Sequence, residues 1–470
     1  MHKRLSILGG IAVASISIMS LTYAPKKALV DESTEKTYTQ YCSSCHGEKV
    51  DAFVDRTWKH GKTKPELIAT ITNGYADLGM PSWKAALSAK EIEKLADLIT
   101  EKLASVDQYK FANKPSSNVF KSEGMTVVLD TIVSGLESPW GFAQLPNKDY
   151  LVTDRAGTLY LVDQKQHKTA IKGTPAVMAK GQGGLLDVVL HPNYASNGWV
   201  YMSYSKFKTE GGQTVTATGI VRGKIKNNEW VESQDIFESL PYTKTFHHFG
   251  SRIAFDKQGY LFFSVGERGM EKVFPQETDN DNGKIHRLND DGSVPKDNPF
   301  VGKDLAKFHH SIYSYGQRNP QGLTLNPYTG AIWETEHGPR GGDEINIIQA
   351  GKNYGWPTIS YGINYDGKPI TSISKKEGME QPITYYLPSI APSGLAFVDS
   401  DKYPAWKGNL MIGSLRFNYM NRVVIKNNKV VSQEKVLVNL GRMRNVKMGV
   451  DGYLYVGVEN PGMVFRLRPQ

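Results

Sequence analysis

The chain has 470 residues, a formal net charge of +9 and only two cysteines. That length exceeds one ordinary domain, and two cysteines rule out a four-cysteine zinc site within the chain. No run of basic residues is interleaved with aromatics, which argues against nucleic acid. The charge reads as solvation, or more weakly as cations in a cleft around an anionic cofactor.

His2, Lys3 and Arg4 open the chain, followed by an apolar run from Leu5 to Leu21 and then Ala24. This is the pattern of a signal peptide over residues 1–24, so the expected location is the periplasm or another exported compartment. An uncleaved anchor is the alternative, and membrane contact is expected only in that case.

Cys42-Ser43-Ser44-Cys45-His46 follows. Two thiols at this spacing can each add to a haem vinyl group, and the adjacent imidazole can then ligate the iron. A redox disulfide motif needs no such histidine. Met80 lies 34 residues further on, in Gly79-Met80-Pro81, placed to be the opposite axial ligand, or else a core methionine. Pro65-Glu66-Leu67-Ile68 reads as a first helical turn. Ser88-Ala89-Lys90-Glu91 reads as a capping box, opening a helix with Ile92, Leu95, Ala96, Ile99 and Leu103 on one face. Residues 31–106 thus resemble a small all-α class I cytochrome c domain carrying haem c.

Residues 107–122 are polar and read as a linker. From there to residue 470 the pattern is all-β, and a strand–turn–strand unit recurs six times. The copies are Gly141–Val162, Asp187–Ser205, Arg252–Gly266, Gly322–Glu336, Gly394–Ser414 and Asn445–Leu467. Six such units predict a six-bladed β-propeller, since a closed ring buries faces that no unit buries alone. A β-sandwich would not give six similar units. Thr126–Ile132 is placed to pair with the last copy and close the ring. The longest intervals follow copies two, three and four, which is where the site is expected.

Polar clusters fall on these connections. They include Gly181-Gln182-Gly183-Gly184, His247-His248-Phe249-Gly250-Ser251-Arg252 and Gln317-Arg318-Asn319-Pro320-Gln321. His337-Gly338-Pro339-Arg340-Gly341-Gly342-Asp343-Glu344, Asn353-Tyr354-Gly355-Trp356-Pro357, Arg416, and Arg442-Met443-Arg444 follow. Singly, these are turn formers, surface charges and structural histidines. Together, that density of guanidinium groups suits an anion with several carboxylates, and the acids suit a hard cation such as calcium.

On these motifs, in this order, residues 136–469 resemble the PQQ-dependent aldose sugar dehydrogenases of the soluble glucose/sorbosone dehydrogenase type, a six-bladed propeller family. The resemblance implies His248 as general base and Arg318 as the group that stabilises developing charge. It implies PQQ contacts at Gln182, Arg318, Asn319, His337, Arg416, Arg442 and Arg444. It implies calcium held through Gly338 and Pro339, and a structural calcium at Glu344 and Tyr354. The implied reaction is oxidation of an aldose at C1 to the lactone. Hydride passes to PQQ, and electrons pass to the haem and then to an external acceptor, such as a cytochrome or a respiratory-chain carrier. A calcium-dependent lactonase-like hydrolase and a non-catalytic ligand-binding propeller are the rival readings; the first has no use for a haem, and the second does not need His248 or the arginine set.

Overall fold

The computed structural model describes residues 32–42, 46, 50, 53, 58, 60–75, 80–104, 117–365 and 368–470. The expected signal peptide, Cys45 and most of the linker lie outside the described residues.

Among the described residues, the N-terminal part shows helices α1 (Glu32–Tyr41), α2 (Lys64–Asn73) and α3 (Ala89–Ala104). At the start of α2, the Thr63 backbone N–H donates to the Glu66 carboxylate at 2.9 Å, with Pro65 in the first turn. The helix ends at Gly74, whose φ of 66° lies in the left-handed region. A Cβ there would sit 2.4 Å from the backbone of Pro81, so the loop that brings in Met80 needs glycine. At α3, the Ser88 N–H donates to Glu91 at 2.8 Å and the Glu91 N–H donates back to the Ser88 hydroxyl at 3.3 Å, the expected capping box. Ile92, Leu95, Ala96 and Ile99 are buried with Tyr38, Phe53, Leu67 and Ile71. Each large side chain so buried is worth about 1.5–3 kcal/mol. Cys42 and Met80 pack against this core.

The remainder is a six-bladed β-propeller. Its blades are β3 to β6 (within 139–171), β7 to β10 (185–238), β11 to β14 (253–315), β15 to β18 (320–386), β19 to β22 (392–436), and β23 to β25 (442–469). The six repeats fall one to a blade. The last blade has five strands, because β2 (Met125–Val133) pairs antiparallel with β25 (Met463–Pro469), Leu129 opposite Leu467. An early strand therefore closes the ring, leaving no open edge between first and last blades. β1 (Val119–Ser122) adds to the outside of β2. This corrects the expected linker, since its last four residues are a strand. Their burial alternates, and Ser122 accepts a hydrogen bond from the Trp406 indole at 3.1 Å, which ties β1 to the fifth blade.

The six innermost strands are β3 (Pro139–Gln144), β7 (Leu185–Leu190), β11 (Ile253–Phe255), β15 (Pro320–Leu325), β19 (Pro392–Phe397) and β23 (Arg442–Met448). All run the same way. Residues at or before their starts line a cavity of about 860 Å³ at one end of the axis. Residues toward their ends line a second cavity of about 390 Å³ at the other. Between them the axis is plugged. The Arg252 guanidinium lies 4.1 Å over the Trp140 ring, pairs with Asp187 at 3.3 Å, and donates to the carbonyls of Gln321 and Arg444. The larger cavity thus has a closed, cationic floor.

Candidate active site

His248 stands on the connection before β11, with a left-handed φ of 55°. Gly266, just after β12 (Leu261–Val265), lets that backbone pass, since a Cβ there would come 2.1 Å from the His248 carbonyl oxygen. Glu267 comes next and is buried. Its Oε1 lies 2.6 Å from Nδ1 of His248, and its other oxygen accepts from the Met270 N–H at 2.8 Å. A carboxylate at Nδ1 fixes that nitrogen as the proton carrier and leaves the Nε2 lone pair free. Burial, with the Arg318 charge nearby, pushes the imidazole down to about 4. Burial alone would raise Glu267, but the His248 hydrogen bond and charge and the Arg318 charge outweigh it and hold it below the usual range. At neutral pH the pair is a carboxylate and a neutral imidazole, the form a general base needs. His247 is the neighbour without that arrangement; its ring stands edge-on to His248 at 4.8 Å.

The expected anion-binding residues converge on the larger cavity, where Gln182, His337, Pro339, Arg416, Arg442 and Arg444 are all part of the lining. Gln182 also accepts the His248 backbone N–H at 2.8 Å, coupling the cavity wall to the histidine loop. His337 donates from Nε2 to the Pro392 carbonyl at 2.7 Å, and burial drives it to about 3, so it is neutral. Arg442 and Arg444 both line the cavity while Met443 between them enters the core, and the register of β23 with β24 shifts between Met443 and Asn445, so Arg444 sits at the irregularity. Glu459, opposite Arg442 in the register, holds both, at 3.2 Å and 2.8 Å. Burial would raise this carboxyl, but the charge and hydrogen bond of Arg444, then Ser138 and Arg442, bring it down to about 2.

Arg318 and Asn319 lie just behind the lining and are buried. Arg318 donates to the carbonyls of His337 and Gly338 at 3.0 and 2.8 Å, and its backbone N–H to Glu336 at 2.5 Å. Its Nε and the Asn319 amide nitrogen have no hydrogen-bond partner. Two orphaned buried donors, four further cationic or amide groups and a roomy cavity fit a planar polycarboxylate such as PQQ; ligand cavities commonly span roughly 300–1,000 Å³.

Pro339 lines the same cavity, and Gly338 comes just before it. The Gly338 carbonyl keeps a second lone pair beside the Arg318 bond, and carbonyl oxygens are donors calcium accepts. Among the described residues, no group of three or more His, Cys, Asp or Glu side chains is arranged to hold a metal ion. Glu344 lies opposite Glu336 in β17 (Asp343–Ile348), and burial and the Glu336 charge push it well above the usual range. The Tyr354 hydroxyl donates to the Ile347 carbonyl at 2.6 Å and accepts from the Gln349 N–H at 2.9 Å. The Glu344 carboxyl accepts from the Asn346 amide at 3.2 Å.

In the N-terminal part, His46 stacks on Phe53 at 5.3 Å between ring centroids. Met80 exchanges backbone hydrogen bonds with Tyr75 and packs on the same core, as does Cys42. An imidazole, a thioether and one of the two thiols around one apolar core are groups that haem c takes as partners. Cys45 is outside the described residues.

Glu267, Glu459, Trp140 and Arg252 were not singled out as site residues by the sequence. The one available signal was Glu267-Arg268, two charges directly after the mostly apolar end of the third repeat.

Comparisons with known proteins agree with this geometry. Residues 136–466 match the glucose/sorbosone dehydrogenase family, and residues 31–99 match cytochrome c oxidase, cbb3-type, subunit III. The aldose sugar dehydrogenase YliI of Escherichia coli is 41% identical over 351 residues, covering 73% of this chain and 94% of that one. A structure of the PQQ-bound aldose sugar dehydrogenase of Streptomyces coelicolor is 29% identical, covers 76% of this chain and all of that one, and superposes with a TM-score of 0.60. Cytochrome c55X of Stutzerimonas stutzeri is 33% identical over 97 residues, covering 20% of this chain and 86% of that one. With its propeller, its arginine-lined cavity and its fused cytochrome c region, this chain belongs to the glucose/sorbosone dehydrogenase family.

Proposed function

We propose that this protein oxidises an aldose sugar at C1 to the lactone, using PQQ held in the larger cavity. The electrons go to haem c in the N-terminal domain and then to an external carrier. The observation that carries the reading is the His248–Glu267 pair beside a cavity lined by Arg416, Arg442 and Arg444. Export, directed by residues 1–24, and calcium at Gly338 and Pro339 are part of the same proposal.

Nε2 of His248 takes the proton of the anomeric hydroxyl, and Glu267 steadies the imidazolium that results. Arg318 sits close enough to hold down the His248 pKa, so its charge is also placed to stabilise an oxyanion. Arg416, Arg442 and Arg444 bind and orient the carboxylates, and Glu459 fixes two of them in place. The plug of Trp140, Arg252 and Asp187 closes the floor against water from the far cavity. When bound, PQQ supplies a two-electron acceptor for the hydride of C1.

The test is an absorbance spectrum of the oxidised protein, loaded with PQQ and calcium, as aldoses are added. Sugar-dependent growth of the reduced haem band supports the whole scheme. Dye reduction with a silent haem removes the internal relay, and neither signal across a panel of aldoses removes the dehydrogenase reading.

A further inference from the structure

Arg268 is wholly buried beneath the loop that carries His248. Its Nη1 donates to the His247 carbonyl. Its Nη2 donates to the Thr245 carbonyl at 2.9 Å and the Thr216 hydroxyl at 2.7 Å. The guanidinium carbon lies 3.5 Å from the centre of the Phe249 ring. In return, the Thr245 hydroxyl donates to the carbonyl of Arg268 itself at 2.7 Å. One planar fork therefore grips the loop on both sides of His248, at 245 and 247 before it and at 249 after it. Lysine lacks that fork.

A group needed only to fill space would be apolar. This one is a buried cation whose Nε has no hydrogen-bond partner, and burying such a group is costly. The loop also needs holding, since both His248 and Arg268 have left-handed backbones, with φ of 55° and 63°.

We propose that Arg268 is a positioning residue that fixes the backbone of the 245–249 loop, so that Nε2 of His248 faces the substrate. Glu267 grips the imidazole ring, and its neighbour Arg268 grips the chain that bears it. The proposal rests on the sugar-oxidation reading for its kinetic assay alone. The charged and titratable groups that bear on His248 are Glu267, Arg318 and His247; Arg268 acts through geometry.

The experiment compares full-length wild type, Arg268→Lys and Arg268→Met. One arm measures aldose-dependent dye reduction in the PQQ-loaded proteins. The other follows the imidazole titration of His248 by NMR in 15N-histidine-labelled protein without sugar. Arg268→Met is expected to lower kcat by ~100-fold, the cost of a misplacement near 1 Å, with KM changed less than about twofold. Its His248 titration should move up from about 4 toward the ordinary value near 6.5 as water enters. Arg268→Lys should fall between. Wild-type kcat in both variants, or a lower melting temperature with kcat and the titration unchanged, would overturn the proposal. Should Arg268→Met not fold, Arg268→Lys decides by the same criteria. Should the wild type oxidise no sugar, the dehydrogenase reading fails, and the His248 titration still decides the role of Arg268.

Discussion

Oε1 of Glu267 lies 2.6 Å from Nδ1 of His248, although one residue follows a strand and the other precedes its partner in the same blade. The antiparallel pairing of β11 with β12 brings those two ends together, so the third blade itself assembles the base. His248→Gln is expected to lower aldose oxidation by about 10³-fold or more, with PQQ still bound. Glu267→Gln, which keeps size but loses the carboxylate, should cost up to about 10⁴-fold, by analogy with the carboxylate-to-amide change at another histidine base. Retained turnover in dye-coupled kinetics would remove either assignment.

The pH profile follows from the burial of His248. A base works in its unprotonated form, and this imidazole takes up its proton near pH 4 rather than near 6.5. kcat/KM should therefore stay level from pH 7 down to about 5 and fall as pH drops through about 4. An acid limb centred near 6.5 would show that the ring is hydrated.

Glu459 is a stability element as well as a clamp. Its folded pKa, about 2, lies below the unfolded value near 4.5, so its contribution is fully present above 4.5 and is lost as pH falls toward 2. Glu459→Gln is expected to lower stability by about 2–3 kcal/mol at pH 7. The melting-temperature gap to wild type should close between pH 4.5 and 2. A pH-independent gap would mean the loss is packing rather than charge.

Two truncations separate the halves. A chain beginning at residue 117 keeps β1 and β2, and should reduce a dye with sugar while showing no haem band. A chain beginning at residue 134 leaves the edge of β25 bare and should aggregate or lose its cooperative unfolding transition. Light scattering and circular dichroism distinguish the two. Equal behaviour would show that β2 is dispensable.

Met80→Ala is expected to lower the haem midpoint potential in a redox titration, since a thioether ligand raises it. An unchanged potential would return Met80 to the core-methionine reading.

The propeller was legible because each repeat is local. An apolar strand, a turn and a second apolar strand mark a blade without reference to its neighbours, and the ring-closing strand followed from the position of the last copy. The linker boundary was misread because β1 is short and half-exposed, and its Val-Phe-Lys-Ser sequence has no apolar alternation to reveal it. The arginines and His248 were legible as motifs. Their holders were less so. Glu459 meets Arg442 and Arg444 only through strand register, and Arg252 meets Asp187 and Trp140 only on the axis, at sequence separations of 65 and 112 residues. Such partners belong to different blades or strands, and no local pattern announces them.

The pairing of Val127 with Pro469 also sets a timetable for biogenesis. A chain made from its N-terminus onward must keep β2 without its partner until β25 (Met463–Pro469) has been synthesised. The helices α1 to α3 pack on one another, so the cytochrome region can fold while the ring is still open. Ring closure is then the meeting of a strand from the start of the propeller with one from its sixth blade, so a stall in synthesis beyond the fifth blade would leave β2 unpaired after the cytochrome region has been made.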